Sequence, residues 1–382
     1  MGTVDPTFAF ELMKALSRNA YNYYATNRDH ERFGPSSLLK PLWNHVEDRA
    51  VALLKRGFRL TRCDRRSSRD ISQIEQIQEH IEGLSRLYNL FADEFSKRLL
   101  VDLAAFRILG YRRVKLPLNT PDYWQRRKAI NKLVVHEQRI PAGFLDWELS
   151  LFNLKSIGYD IEVLGVPSSI FAIFVLKQYE CARSSIPCKA EHGDFVIDAG
   201  ACWGDSSLYF ANEVSRTGRV YSFEFLPRNL EIMRRNIAVN SHLRDCIDII
   251  EKPLWNASDQ PLYYTEDGPA TRVTKESPGT GCDKVMTLSI DDFVAGQKVE
   301  RIDFVKMDIE GAEINALQGA AGTIKKFRPK LAISIYHDLD GFTKIPLFLE
   351  SLGAGYDFYL SHYTIHLEET ILYGVPAQGN RT

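Results

Sequence analysis

The run Asp194-Phe195-Val196-Ile197-Asp198-Ala199-Gly200-Ala201-Cys202-Trp203-Gly204-Asp205-Ser206 decides how this chain folds. A short apolar stretch ends in an acid and passes into a turn with two glycines, as the first strand of a nucleotide-binding α/β sheet hands over to its first helix. Gly200 allows a tight turn, and Gly204 takes a Cβ out of the way where the helix approaches the strand. A ligand bound there would sit at the carboxyl end of the strand, against backbone N–H groups. The order of the elements that follow gives the turn its meaning.

After residue 190, β-rich apolar runs alternate with amphipathic helical segments, the signature of a parallel sheet with crossover helices. Strands are expected at Phe195–Asp198, Arg219–Phe225, Ile247–Lys252, Phe304–Met307 and Lys330–Tyr336. The third is followed instead by a polar stretch rich in Gly, Pro and Thr, Asp259 to Lys284, which reads as an inserted hairpin or loop over the site. Two last runs, Tyr356–His362 and Thr370–Val375, have a short connection and are expected as an antiparallel pair at the sheet edge.

The first part of the chain has a different rhythm. Phe8, Leu12, Met13 and Leu16, then Ile71, Ile74, Ile81, Leu84, Leu87, Tyr88 and Phe91, recur at helical spacing. Residues 1–155 therefore read as a mainly helical domain and 156–382 as the α/β domain, each with its own core in a chain of 382 residues. The stretch Lys55 to Asp70 carries seven basic residues against two acids, either a patch for an anionic substrate or a solvated helix face. The formal net charge of −1 gives no global reason to expect nucleic acid or an anionic membrane as partner. No apolar run reaches the length of a membrane span and the first residues lack a signal-peptide layout, so the expected location is cytoplasmic. Six scattered cysteines with no CxxC pair point to free thiols.

The second strand ends in Glu224, 26 residues after Asp198, where an acid can accept both hydroxyls of a ribose. The turn is Gly200-x-x-x-Gly204 with Cys202 in the middle, not the G-x-G-x-x-G of a dinucleotide fold. At the fourth strand stands Val305-Lys306-Met307-Asp308-Ile309-Glu310-Gly311-Ala312-Glu313, three carboxylates and a lysine at a strand-to-helix turn. That position faces the ligand crevice of such a sheet, although Glu310 and Glu313 also suit a helix N-terminus by charge alone.

Lys306 to Glu313, Val196 to Ala201, Thr287-Leu288-Ser289-Ile290-Asp291-Asp292 and Ser334-Ile335-Tyr336-His337 occur in one order, and together they resemble the FkbM family of S-adenosylmethionine-dependent methyltransferases over roughly residues 160 to 375. The resemblance implies a Rossmann-like, seven-stranded class I methyltransferase sheet, six strands parallel and one antiparallel, preceded by the helical segment. It implies S-adenosylmethionine as cofactor and a hydroxyl of a sugar, glycoconjugate or secondary metabolite as methyl acceptor. Cys202 departs from the Asn usual after the Gly-Ala pair, and Trp203 is bulky, which leaves that wall of the pocket open to variation.

An alcohol is a poor nucleophile at neutral pH, so a base is expected at the crevice. His337 is the preferred candidate because its ordinary pKa suits the task, with Asp308 orienting it or touching substrate. Gly200, Ala201 and Gly204 are expected along the cofactor's amino-acid end, with Asp198 on the ammonium or the turn amides. Ser206 opens the helix, Glu224 and Phe225 lie at the ribose, and Pro253 and Leu254 at the adenine, where Trp255 is either a stacking partner or core. His362 and His366 carry less weight; Asp308, Glu310, Glu313, His337 and His362 could instead supply ligands to a divalent metal that polarises a diol, although no fixed ligand spacing such as HxxxH supports one. A small-molecule or glycan acceptor is the expected partner. The helical segment is left as a roof, an acceptor carrier or a homodimer contact. The alternatives are an NAD-dependent Rossmann oxidoreductase and an inactive methyltransferase-like scaffold.

Overall fold

The computed structural model describes residues 6–24, 27, 68–144, 147–184, 186–276 and 281–377. The basic stretch from Lys55 lies outside these, apart from the backbone at its end, where a helix begins at Ser68. Among the described residues no helix is long and apolar enough to cross a membrane, and Cys181, Cys188, Cys202 and Cys246 carry free thiols.

The strands, in chain order, are β1 Val134–Pro141, β2 Glu148–Asn153, β3 Glu162–Gly165, β4 Phe195–Ala199, β5 Arg219–Phe223, β6 Ile247–Ile250, β7 Pro261–Tyr264, β8 Val273–Thr274, β9 Asp283–Met286, β10 Phe304–Met307, β11 Lys330–Ser334, β12 Tyr356–His362 and β13 Thr370–Pro376. Seven of them form one sheet in the order β12-β13-β11-β10-β4-β5-β6. β6, β5, β4, β10 and β11 pair in parallel, and β13 runs against both of its neighbours. The central β10 is buried along its whole length, as a strand covered on both faces must be.

Local chemistry sets the helix starts. Pro227 occupies the first turn of Pro227–Val239, Ser289 caps Ile290–Gly296 by accepting the Asp292 N–H, and Asp338 caps Leu339–Ser351 through the Gly341 N–H. β5 ends two residues sooner than its apolar run, because the Glu224 carboxylate accepts the N–H groups of Phe225 and Leu226 and turns the chain. The polar insertion after β6 is a small antiparallel sheet of its own, β8-β7-β9.

The expected division at residue 155 does not hold. Residue 155 opens the one-turn segment Lys155–Ile157 inside the β2–β3 hairpin, so a boundary there would cut the three-stranded sheet β1-β2-β3. The N-terminal part is thus not helical alone, and it does not keep a separate core. Phe8, Leu12, Leu84, Leu87 and Leu100 of its helices share one buried cluster with Ile197, Leu331, Leu360 and Leu372 of the large sheet. The N-terminal segment also covers the sheet's edge. The Ala92 N–H donates to the Phe358 carbonyl (3.0 Å), the Ser96 Oγ accepts the Leu360 N–H (2.8 Å), and Arg183 ties Asp93 to the Leu360 carbonyl.

Candidate active site

The turn between β4 and its helix is built against the end of β10. Gly200 has φ of +80°, and a Cβ there would lie 1.9 Å from the Asp308 carbonyl oxygen, so only glycine fits. Gly204 has φ of +81° and a Cβ there would press on Met233, so its freedom serves the approach of the helix Pro227–Val239, not of the strand. Beneath the turn Lys306 reaches across from β10. Its Nζ donates to the carbonyls of Ala199 (3.2 Å) and Gly200 (2.7 Å) and lies 3.0 Å from Asp198 Oδ1, with both side chains sealed from solvent. Burial works against the Lys306 charge, but Asp198 and Asp308 outweigh it and hold the ammonium protonated.

Several expected cofactor residues therefore have other work. Asp198 is fully buried; its Oδ2 accepts from the hydroxyls of Ser206 (2.8 Å) and Ser207 (2.7 Å) and its Oδ1 faces Lys306, so it does not reach a ligand. Ser206 is spent on that bond. Ala201 is buried among Leu208 and Met233 in the core.

A crevice opens at the carboxyl ends of β4, β5 and β10. Of the expected residues, Gly200, Glu224, Phe225, Pro253, Leu254 and Asp308 line it. Glu224 is held by the N–H groups of Cys202, Phe225 (2.7 Å) and Leu226 (2.8 Å) and by the Asn229 amide (3.2 Å). Burial raises its pKa against these donors. Gly268, Pro269, Thr271 and Val273 of the insertion complete the opposite wall. Cys202 lines the crevice from a left-handed backbone (φ +47°), whereas Trp203 turns away and packs with Leu149, Leu151, Leu164 and Ile232 against the β1-β2-β3 sheet.

Beside Asp308 lies a cluster of three carboxylates around one imidazole. His337 Nε2 is 3.0 Å from Asp308 Oδ1 and 3.1 Å from Glu313 Oε1, and Nδ1 is 3.4 Å from Glu310 Oε2. Glu313 Oε1 also accepts the Ile309 N–H (2.8 Å) and the Gly311 N–H (3.3 Å). Burial would push the His337 pKa down, but hydrogen bonds to Asp308 and Glu313 and the charges of both raise it to about 11. Asp308, which burial would push up, is held below the usual carboxylate value by His337 and Lys306. His337 is thus an imidazolium at neutral pH, with both ring nitrogens facing carboxylates. A group already carrying its proton cannot accept one, and this removes the expected base role.

Glu310 stands differently. It lines the crevice, its side chain keeps 27% of its exposure, and its backbone is left-handed at φ +55°, a conformation a non-glycine residue adopts at a cost of about 1–3 kcal/mol. Burial and the charges of Asp308 and Glu313, opposed by His337 and Arg272, bring its pKa to about 7. The sequence marked it as one charge among three; the signal that separates it from Asp308 and Glu313 is tertiary. The atoms of Asp308, Glu313 and His337 also lie within 4.8 Å of one another, close enough to surround a cation. The His337 proton already bridges two of them.

Of the remaining aromatic and histidine candidates, Trp255 and His362 are core. Trp255 is buried with Leu262 and Ala312. His362 is buried, 2.8 Å from the Thr370 hydroxyl, and burial lowers its pKa to about 4. His366 lies in the turn between β12 and β13.

Residues 198–358 match the model of the methyltransferase FkbM domain. Methyltransferase sdnD of Sordaria araneosa is 25% identical over 182 residues, which are 40% of this chain and 70% of that protein. The crystal structure of methyltransferase FkbM from Methylobacillus flagellatus KT shares the fold with a TM-score of 0.50 at 19% identity, over 79% of this chain and 62% of that one. This chain therefore spans less than two thirds of that protein's length.

Proposed function

We propose that the protein, whose residues 198–358 match the methyltransferase FkbM domain, is an S-adenosylmethionine-dependent O-methyltransferase acting on a hydroxyl of a sugar, glycoconjugate or secondary metabolite. The lining of the crevice fits the cofactor. Glu224 offers carboxylate oxygens to ribose hydroxyls, Phe225, Pro253 and Leu254 offer an apolar slot for a flat base, and Gly200 leaves the backbone bare where a Cβ would block the turn. When bound, the cofactor supplies a methyl group made electrophilic by its sulfonium.

The protein's own part is to hold the acceptor in line, exclude water and take a proton. The single observation that carries a hydroxyl acceptor is the carboxylate of Glu310, exposed to the crevice and poised near neutrality. As the acceptor oxygen takes up the methyl group that the cofactor would supply, the hydroxyl proton would pass to a Glu310 carboxylate oxygen. His337 acts as a positioning cation that keeps Asp308 and Glu313 apart from Glu310 in role, and Asp308 is left to accept a hydrogen bond from the acceptor.

The test is methyl-labelled S-adenosylmethionine offered to the full chain with a panel of methyl glycosides and polyhydroxylated small molecules. Label appearing on oxygen supports the reading, and label confined to nitrogen or carbon acceptors overturns it. In a parallel titration with S-adenosylhomocysteine and NAD, binding of NAD alone would favour an oxidoreductase.

A further inference from the structure

Lys306 has no place in the proton transfer just described, yet its buried ammonium is held by three oxygen partners. A lysine in the middle of a fully buried strand is costly unless every donor finds a partner. Here the partners are one carboxylate, Asp198, and two successive main-chain carbonyls, Ala199 and Gly200, which belong to the glycine turn itself. A structural ion pair needs only the carboxylate. The two carbonyls mean that Lys306 grips the backbone at the point where β4 becomes the crevice wall.

We propose that Lys306 is a positioning residue for the cofactor, a cationic clamp that fixes the turn Ala199–Gly204 before any ligand arrives. The clamp acts from below and Glu224 meets it from above. With the Ala199 and Gly200 carbonyls drawn to Nζ, the N–H groups of Gly200 (3.1 Å) and Ala201 (3.0 Å) point at the Phe223 carbonyl, and the Cys202 N–H points at the Glu224 carboxylate. Lys306 thus sets the orientation of the carboxylate proposed for the ribose, through three consecutive peptide units and without touching the ligand. Asp198, Ser206 and Ser207 are the counter-charge and anchor that keep the ammonium in place. A turn formed in advance lowers the ordering cost of binding.

The inference rests on the crevice holding S-adenosylmethionine, and its test is arranged to fail separately. Asp198→Asn/Lys306→Met removes both charges at nearly constant volume, a change that buried pairs often tolerate. S-adenosylhomocysteine is titrated by calorimetry into the full chain, wild type and variant. The expected result is a melting temperature within a few degrees of wild type and an affinity at least tenfold weaker, with amide exchange faster in residues 199–204 and unchanged in β11. Unchanged affinity at matched stability overturns the clamp, whereas a wild type that binds no S-adenosylhomocysteine overturns the cofactor reading beneath it. Lys306→Gln keeps a donor for the carbonyls without the charge and should bind between the two. If neither variant folds, exchange in the wild type decides. Protection of 199–204 equal to that of the central strands, and hardly changed by ligand, supports a preformed turn, and loop-like exchange overturns it.

Discussion

At the scale of single residues, one imidazole and one carboxylate exchange the roles their types suggest. His337 has the side chain of a general base, but three carboxylates within 3.4 Å leave it charged, and Glu310, with the side chain of a helix-start acid, takes up the intermediate pKa. Glu310→Gln should lower turnover by about 10²- to 10⁴-fold, the usual worth of a general base, while S-adenosylhomocysteine affinity stays within a few-fold. In the wild type kcat/KM should fall as pH drops through about 7 and Glu310 becomes protonated, and the glutamine variant should lose that limb. His337 makes a separate prediction about stability. Its folded pKa, about 11, lies above the unfolded value of 6.5, so its contribution is complete below about pH 6.5 and is lost progressively as pH rises toward 11. Urea unfolding of wild type and His337→Asn across pH 6 to 10 checks this. The stability gap between them should narrow with rising pH, and a constant gap would show that the imidazolium is not what the carboxylates hold.

At the scale of elements, the site is a meeting of strand ends whose spacing is set by contacts between backbones. Gly200 and the Asp308 carbonyl touch so closely that the turn after β4 and the end of β10 behave as one unit. Gly200→Ala should abolish detectable S-adenosylhomocysteine binding and lower the melting temperature. Gly281→Ala is the control, for Gly281 also has positive φ (+92°) but a Cβ there meets nothing within 4 Å. Equal effects of the two would reduce the Gly200 argument to backbone strain alone. The glycine spacing and the alternation of strands and helices were legible because strand–turn–helix chemistry is local. The insertion was legible as a hairpin or loop over the site, but its third strand and the four residues it lends to the crevice were not. Those depend on what it packs against.

For the whole molecule, the helices at the start of the chain belong to the same packed fold as the large sheet and are not an appendage. Leu100 lies in the same buried cluster as Leu331 and Leu372, and the segment around Ala92 and Ser96 pairs with the edge strand β12. Leu100→Ala should cost about 2–5 kcal/mol and shift one cooperative transition of the entire chain, followed by tryptophan fluorescence and far-ultraviolet dichroism together. Two separated transitions, with only the first displaced, would restore a division into independent domains. A fragment beginning at residue 156 should be insoluble for the same reason, since it exposes the sheet face that these helices cover.

The sequence by itself determined the class of the fold, the order along the chain of the seven strands of the large sheet, the crevice-facing acids at Glu224 and Asp308, and the resemblance that the domain match to residues 198–358 bears out. All of these rest on short-range patterns: periodicity, turn chemistry and motif spacing. Only the tertiary structure decided that Asp198 and Ser206 face inward, that Lys306 clamps the turn, that His337 is charged and Glu310 is poised, and that the N-terminal helices share the sheet's core. Charge state and burial are collective quantities. Each is set by groups from strands far apart in sequence, and no local reading of a residue's type contains them.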